Sequence, residues 1–140
     1  MAEPFDDIST PPYALVVDDD ALVLMNSCDI LEEAGFRFYE AGSGDEAKAL
    51  LEGCGDTITL LFTDVEMPGE TNGFALAHHV AERFPEIEII VASGRVQPEA
   101  GDMPDKATFI SKPFSAQVVH DHLRKKLPDG KKPLPLKAAV

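Results

Sequence analysis

Short, mainly apolar segments that end in polar residues constrain the fold of this chain more than any other feature. Tyr13–Val17, Thr57–Thr63 and Glu88–Ser93 are rich in aliphatic residues, and Thr108–Ile110 is a shorter segment of the same kind. Apolar runs of this length are typical of strands that are buried on both faces of a parallel sheet. A further short strand is predicted at Phe36–Ala41, which gives five strands.

Segments with the apolar periodicity of helices separate the predicted strands. Asp20, Ser43 and Ser115 are of the residue types that cap helix N-termini. Glu46, three residues after Ser43, completes a capping box. The predicted helices are Ala21–Ala34, the segment from Ser43 that ends before Gly53, Gly73–Phe84, and the segment from Ser115 to Leu127.

Strands that alternate with helices predict an α/β fold, a doubly wound five-stranded parallel sheet with right-handed crossovers. The connection between the fourth and fifth strands departs from this pattern. Its residues, Arg95–Lys106, include Pro98, Gly101 and Pro104. Proline and glycine have the lowest helix propensities of all residues. The fourth helix is therefore predicted to be short or disordered.

The length of 140 residues suits one domain, which is predicted to span residues 13–127. A flexible N-terminal arm is expected at residues 1–12, and a basic, Pro-rich C-terminal tail at residues 128–140. The net charge of −13 is uneven, because residues 1–123 carry 6 basic and 24 acidic side chains, whereas residues 124–140 carry 6 basic and 1 acidic. An acidic body repels phosphate backbones, so nucleic acid is not an expected partner.

The sequence also argues against a membrane protein and against a secreted protein. No apolar stretch approaches the roughly 20 residues that cross a bilayer. The N-terminus is acidic and Pro-rich, without the basic and then apolar order of a secretory signal. Cys28 and Cys54 are too few for a disulfide framework and lack metal-ligand spacing, so we expect reduced thiols in the cytoplasm.

Polar residues follow four of the predicted strands and point to a common site. Asp18 and Asp19 follow the first strand, and Asp64 follows the third. Ser93 ends the fourth strand, and Lys112 comes shortly after the fifth. The carboxyl ends of parallel strands share one edge of the sheet, where ligands of open α/β folds bind. Clustered carboxylates repel one another unless a cation lies among them, which predicts a Mg²⁺ site.

These segments resemble those of a known family. VVDD (Val16–Asp19), TDVEMPGETNG (Thr63–Gly73), VASG (Val91–Gly94) and SKPF (Ser111–Phe114) are similar in order and spacing to the signature segments of response-regulator receiver domains. The resemblance to these CheY-like domains covers residues 13–127. It implies a flavodoxin-like sheet with the strand order 2-1-3-4-5.

The resemblance implies a role for each acidic residue of the site. Asp64 resembles the phosphoacceptor of the family. Asp18 and Asp19 resemble the acidic pair that binds Mg²⁺ directly or through water. Asp64 itself and the backbone carbonyl of Glu66 complete the implied set of metal ligands.

The other matched residues would bind the phosphoryl group and respond to it. Lys112 resembles the lysine that pairs with this group. Ser93 and the backbone of Gly94 correspond to further phosphoryl-binding groups of the family. Ser93 and Phe109 correspond to its switch residues. The Lys112–Pro113 peptide bond is expected to be cis, which the tertiary amide permits.

The function implied by the resemblance is that of a single-domain response regulator in a two-component phosphorelay. It would accept a phosphoryl group from the phosphohistidine of a sensor histidine kinase or a phosphotransfer protein. It would catalyse its own phosphotransfer and dephosphorylation without being a conventional enzyme. Only 13 residues follow Leu127, so no DNA-binding output is expected. The chain would act as a phosphate sink, a shuttle or a switch for a downstream protein, as a monomer or weak dimer.

One loop departs from the common pattern of the family. The segment from Asp64 to Gly73 is one residue longer than the commonest family loop, and the insertion falls within Gly69–Asn72. With Ser93-Gly94-Arg95, it resembles single-domain alphaproteobacterial receivers that work with HWE-type histidine kinases.

Glu66 and Arg95 lie at positions that vary in the family and flank the reaction centre. An acid at position 66 would repel or orient the hydrolytic water, and Arg95 could pair with it. We hypothesise that these two residues set the dephosphorylation rate.

Three other functions stay open on the sequence. Asp64 could be the nucleophile of a Mg²⁺-dependent phosphohydrolase, with Glu66 as its acid–base residue. Gly42–Ala47 matches the G-x-G-x-x-A fingerprint of a dinucleotide-binding module, although Asp45 and Glu46 would stand where the pyrophosphate docks. The third is a degenerate receiver that acts only as a docking module. Four histidines are interpreted as exposed helix residues: His78, His79, His120 and His122.

Overall fold

The structure of the chain, a computed structural model, describes residues 12–133 and Leu136. Of the predicted arm at residues 1–12, only Pro12 is within the described residues. The strands are β1 Tyr13–Val17, β2 Arg37–Ala41, β3 Ile58–Asp64, β4 Glu88–Ser93 and β5 Thr108–Ser111. They form one parallel sheet in the order β2-β1-β3-β4-β5. The predicted doubly wound, flavodoxin-like fold is confirmed.

Helices connect most of the strands, and their predicted N-caps are confirmed. The described helices are α1 Ala21–Glu33, α2 Gly44–Cys54, α3 Gly73–Arg83 and α4 Ala116–Lys126. The Asp20 carboxylate accepts hydrogen bonds from the amides of Leu22 and Val23. The hydroxyls of Ser43 and Ser115 each accept one from the amide three residues further on. None of these helices is long and apolar enough to cross a membrane.

Two details of α2 differ from the prediction. Glu46 accepts a hydrogen bond from the amide of Gly42, at 2.8 Å, rather than from that of its capping partner Ser43. The helix also continues through Gly53 and ends at Cys54. Gly53 is exposed, with no atom within 4 Å of where its Cβ would be. A helix tolerates such a glycine at a cost of about 1 kcal/mol.

The connection from β4 to β5 contains no helix among its residues, as its prolines and glycine predicted. Turns replace the helix. The amide of Glu99 donates to the carboxylate of Asp102 at 2.8 Å. From α3, His78 Nε2 lies 3.0 Å from the carbonyl oxygen of Asp102 and 3.3 Å from that of Gly101. This histidine thus fastens the connection to α3.

Both faces of the sheet are buried, as the continuous apolar strands predicted. Leu15 and Leu61 pack with α2 and α3, whereas their neighbours Val16 and Leu60 pack with α1 and α4. None of the four side chains is more than 1% exposed. Close packing on two sides leaves β1 and β3 little freedom, so the polar residues that follow them have fixed positions.

Two of the described residues after α4, Lys131 and Leu136, contact the rest of the domain. Lys131 Nζ is 2.9 Å from a carboxylate oxygen of Glu88, the first residue of β4. Leu136 is 4% exposed and belongs to the apolar core between the sheet, α1 and α4. The described part of the C-terminal segment is therefore packed on the domain.

Candidate functional site

Three carboxylates meet at the carboxyl edge of the sheet. In the parallel pairing of β1 with β3, Val17 lies opposite Thr63. The residues that follow, Asp18 and Asp64, are therefore brought side by side. Asp18 is 5% exposed and Asp64 is 9% exposed, whereas Asp19 is exposed. One carboxylate oxygen from each of the three lies within 4.8 Å of the others.

Lys112, which follows the edge strand β5, reaches this cluster. Lys112 Nζ lies 2.9 Å from Asp18 Oδ2 and 2.9 Å from Asp64 Oδ1. The backbone amide of Lys112 donates to the carbonyl of Ser93 at 3.0 Å, which extends the pairing of β4 and β5 by one residue. The Lys112–Pro113 peptide bond is cis. The second oxygen of Asp18 accepts from the amide of Asp20 at 2.9 Å.

The cluster contains one ammonium group, that of Lys112, and three carboxylates. Burial, and to a smaller extent the charge of Asp18, raises the pKa of Asp64 even though Lys112 acts to lower it. Burial disfavours the ammonium of Lys112, but the hydrogen bonds and charges of Asp18 and Asp64 outweigh it and raise the pKa of Lys112. The fold therefore favours the charged form of Lys112 and disfavours the ionised form of Asp64.

The donor atoms fit a magnesium ion. Mg²⁺ prefers oxygen ligands and is commonly bound by a few carboxylates together with water and phosphate oxygens. Asp18, Asp19 and Asp64 supply such oxygens close together. The loop after Asp64 begins with Val65, whose carbonyl accepts from the amide of Gly73 at 2.8 Å. The next carbonyl along the chain, that of Glu66, is the one that the sequence predicted as a ligand.

Ser93 lies at the end of β4 and is almost completely buried. Its hydroxyl oxygen accepts from the amides of Arg95 and Val96 at 3.3 and 3.0 Å. In this conformation the hydroxyl is thus bound to its own loop. Gly94 is exposed beside Lys112, where a Cβ would lie 3.4 Å from that of the lysine. Phe109 is half-buried and packs against the core on the α2 and α3 side.

Glu66 and Arg95 are both exposed. Within the described part of the chain, no ion pair joins them, so the expected pairing is not made in this conformation.

The site has a neighbour that the sequence did not reveal. Asp45, in the first turn of α2, accepts a hydrogen bond from the Thr71 hydroxyl at 2.7 Å. Its carboxylate is therefore bound to the loop that follows Asp64. This contact counts against a dinucleotide site at Gly42–Ala47, because it fixes a negative charge where a pyrophosphate would have to lie.

The interpretation of the histidines as exposed is wrong for three of them, because His79, His120 and His122 are half-buried. His120 Nε2 lies 2.8 Å from the carbonyl oxygen of Ile30, and His122 Nε2 lies 2.6 Å from the hydroxyl of Thr108. Both rings are half-buried, because α4 packs against α1 and against β5 on the sides that carry them.

A mainly apolar groove of about 530 Å³ opens beside the cluster. Lys112 and Gly94 line one end of it, next to the carboxylates. The first turns of α1 and the segment after β5 form its walls. Leu22 and Met25 of α1 are 75% and 57% exposed, and Val118 of α4 is 51% exposed. Of these three, Leu22 lines the groove, so a large apolar side chain beside the site is in contact with solvent.

Comparisons with known proteins agree with this geometry. The sequence profile of the response regulator receiver domain matches residues 14–124. The chain is 33% identical over 112 residues to the sensor kinase CckA of Brucella abortus, a match that covers 78% of this chain and 12% of CckA. It is 30% identical over 111 residues to the transcriptional regulatory protein PdtaR of Mycobacterium tuberculosis, covering 78% of this chain and 53% of PdtaR. The chain thus spans about an eighth and about half of these two relatives.

The crystal structure of the receiver domain of NtrX from Brucella abortus is similar in fold and sequence. The two chains superpose with a TM-score of 0.71 and are 27% identical, and the match covers 81% of this chain and 97% of the other.

Proposed function

The chain belongs to the response regulator receiver domain family, and we propose that it accepts a phosphoryl group on Asp64 from a phosphohistidine. One observation carries the proposal. The carboxylate of Asp64, fixed at the end of a strand buried on both faces, lies beside the Lys112 ammonium and within 4.8 Å of carboxylate oxygens of Asp18 and Asp19. The donor would be a sensor histidine kinase or a phosphotransfer protein, since receiver domains interact with these proteins.

The chemistry follows from the positions of these groups. A carboxylate oxygen of Asp64 attacks the phosphorus, the bond from phosphorus to the imidazole nitrogen breaks, and the histidine leaves with that electron pair. The product is an acyl phosphate on Asp64. Lys112 turns from Asp64 to the phosphoryl oxygens and balances their charge. When bound by Asp18, Asp19, Asp64 and the Glu66 carbonyl, Mg²⁺ would supply further positive charge at these oxygens.

Ser93, Gly94 and Phe109 form the proposed switch. Phosphorylation places new acceptor oxygens next to Ser93, whose hydroxyl is free to donate while its oxygen accepts from its own loop. Rotation of this hydroxyl, with the backbone amide of Gly94, would draw the loop after β4 towards the phosphoryl group. Phe109 lies beside Val91 in the pairing of β4 with β5, so a shift of that loop changes the space around the half-buried ring.

We propose that Glu66 and Arg95 set the rate of dephosphorylation. Both are exposed next to the reaction centre, where a carboxylate would repel or orient the water that hydrolyses the acyl phosphate. The lifetime of phosphorylated Glu66→Ala, compared with that of the wild type, tests this role. Equal lifetimes would refute it.

The groove beside the site supports a protein as phosphoryl donor. Leu22 of α1, which is 75% exposed, lines the groove together with Lys112. We infer that the protein that carries the phosphohistidine covers this groove when it reaches Asp64. Burial of such side chains would supply part of the binding free energy.

The role in a pathway is part of the same proposal. We propose that the chain serves as a phosphate sink, a shuttle or a protein-binding switch, with an HWE-type kinase as donor. The length of the loop after Asp64 and the sequence Ser93-Gly94-Arg95 support the kinase type. A cytoplasmic location is supported by the two free cysteines, Cys28 and Cys54.

Phosphorylation by acetyl phosphate tests the proposed function without a kinase. The protein is incubated with acetyl phosphate and Mg²⁺, and its intact mass is measured. We expect the addition of one phosphoryl group, which does not occur when EDTA is present from the start or when Asp64 is replaced in Asp64→Asn. An unchanged mass in the wild type, or addition that persists in Asp64→Asn, would refute the proposal.

A further inference from the structure

The loop after Asp64 begins and ends next to this residue, the proposed phosphoacceptor. The amide of Gly73 donates to the carbonyl of Val65 at 2.8 Å. A Cβ on Gly73 would lie only 2.0 Å from the carbonyl oxygen of Asp64. The two ends of the loop that carries Glu66, at Val65 and Gly73, are therefore in direct contact with each other beside Asp64.

The far side of the same loop is fastened to α2 by Asp45. The Thr71 hydroxyl donates to Asp45 Oδ1 at 2.7 Å, and the amide of Glu70 approaches Oδ2 at 3.4 Å. Gly69 has φ +93°, and a Cβ there would lie 2.7 Å from Oδ2. Thr71 is 3% exposed. Three successive loop residues thus pack against one carboxylate.

Asp45 does not cap the helix in which it lies. The N-terminus of α2 is capped by Ser43, which binds the amide of Glu46, and Glu46 in turn binds the amide of Gly42. The side chain of Asp45 points to the loop instead. Hydrogen bonds from the Thr71 hydroxyl, first, and from the Glu70 amide lower the pKa of Asp45. The carboxylate is therefore ionised at neutral pH and bound to the loop.

We propose that Asp45 is a positioning residue for the metal site: through Thr71 it holds the loop in the conformation that presents the Glu66 carbonyl to Mg²⁺. The inference rests on the proposed function. A carbonyl in a free loop must be ordered when the ion binds, at the cost of backbone entropy, whereas a carbonyl in a fastened loop is ordered beforehand. Loss of the fastening should weaken Mg²⁺ binding without removing any ligand.

Two variants remove the contact from opposite ends. Thr71→Val keeps the shape of the buried side chain and removes the hydroxyl donor, and Asp45→Ala removes the acceptor. We expect each to weaken Mg²⁺ binding about three- to tenfold, the equivalent of ordering about one residue. Binding is measured by NMR titration of backbone amides with MgCl₂. Hydrogen exchange of the Glu70 amide, measured without Mg²⁺, should become faster in both variants.

Matched controls separate positioning from a general loss of stability. Thr71→Ser restores the hydroxyl and should bind Mg²⁺ within twofold of the wild type. Glu46→Ala lies in the same helical turn as Asp45 but contacts Gly42 and not the loop, so its Mg²⁺ affinity should also be unchanged. The double variant Asp45→Ala/Thr71→Val should bind Mg²⁺ no more weakly than Asp45→Ala, because Asp45→Ala already removes the contact with Thr71.

The outcomes distinguish this inference from the proposed function. If Glu70 exchanges faster in Thr71→Val and Asp45→Ala while their Mg²⁺ affinity equals that of the wild type, the fastening exists but does not position the metal site, and the inference is refuted. If the wild type itself neither binds Mg²⁺ nor becomes phosphorylated, the proposed function fails, and the inference fails with it. Melting curves identify any variant that does not fold. If Asp45→Ala does not fold, the Mg²⁺ affinity of Thr71→Val, which preserves the buried volume, tests the inference.

Discussion

Lys112 Nζ lies 2.9 Å from Asp64 Oδ1 and, at the same time, 2.9 Å from Asp18 Oδ2. One ammonium group therefore occupies oxygens of the two buried carboxylates that are also expected to hold Mg²⁺. In the proposed function, a phosphoryl group on Asp64 would offer Lys112 new acceptor oxygens outside the carboxylate cluster. Such an exchange of partners would link metal binding to phosphorylation.

Replacement of Lys112 should change Mg²⁺ affinity and the rate of phosphorylation in opposite directions. In Lys112→Ala, the carboxylates lose a competing cation, so we expect Mg²⁺ to bind about three- to tenfold more tightly. Phosphorylation by acetyl phosphate should be at least about tenfold slower, because a group that stabilises the transition state is lost. NMR titration with MgCl₂ and mass spectrometry measure the two effects.

Lys125→Ala is the control for charge, since this exposed lysine on α4 is far along the helix from the cluster. It should leave both properties unchanged. Weaker Mg²⁺ binding in Lys112→Ala would contradict the idea that the ammonium and the ion compete.

The raised pKa of Asp64 predicts that this carboxylate destabilises the fold at neutral pH. Burial raises this pKa in the folded protein above that of the unfolded chain. Asp64 therefore contributes stability that is fully present below the unfolded pKa of about 3.9 and is lost as the pH rises through the folded pKa. Asp64→Asn cannot ionise, so at pH 7 without Mg²⁺ it should melt at a higher temperature than the wild type.

The difference in melting temperature should shrink as the pH is lowered towards 3.9. Asp56→Asn, at an exposed position in the turn before β3, should melt like the wild type. A lower melting temperature of Asp64→Asn at pH 7 would show that the ion pair with Lys112 outweighs the burial of the carboxylate.

Two glycines give opposite predictions for the same substitution. A Cβ on Gly73 would lie 2.0 Å from the Asp64 carbonyl oxygen, so Gly73→Ala must displace the loop from the phosphoacceptor. We expect a loss of about 1–3 kcal/mol of unfolding free energy and slower phosphorylation. Gly53, inside α2, has nothing within 4 Å of the added carbon, so Gly53→Ala should add about 0.5–1 kcal/mol. Urea denaturation measures both, and equal effects would contradict the geometry of the loop.

The C-terminal segment should contribute to stability through Leu136. Its side chain is 4% exposed and packs in the core with α1 and α4. Leu136→Ala should lower the unfolding free energy by about 2–4 kcal/mol, because a buried side chain is lost and a cavity remains. Val118→Ala, at a position that is 51% exposed, should change it by less than about 0.5 kcal/mol. Equal stability of the two variants would mean that the segment does not pack on the domain in solution.

The fold and the carboxylate cluster could be predicted because both follow from local patterns. Apolar runs buried on both faces identify β1 and β3, and their pairing places Val17 beside Thr63. Asp18 and Asp64 must then be neighbours. In the same way, the composition of Arg95–Lys106 was enough to predict that the fourth connection lacks a regular helix.

Contacts between distant polar side chains could not be predicted where the residues do not follow the ends of strands. Asp45 and Thr71 are 26 positions apart, and neither belongs to a periodic pattern. The only local sign was that Ser43 and Glu46 already account for the helix cap, which leaves the carboxylate of Asp45 without a partner nearby. Lys131 and Glu88 likewise meet only because the chain folds back after α4.

The measurement that tests the account most directly is the chemical identification of the phosphorylated residue. After incubation with acetyl phosphate and Mg²⁺, borohydride reduction converts an aspartyl phosphate into homoserine, which peptide mass spectrometry locates in the chain. We predict homoserine at Asp64, and none in a sample prepared without Mg²⁺. Homoserine at another aspartate, or none in a sample that has gained a phosphoryl group, would contradict the assignment of Asp64 as the phosphoacceptor.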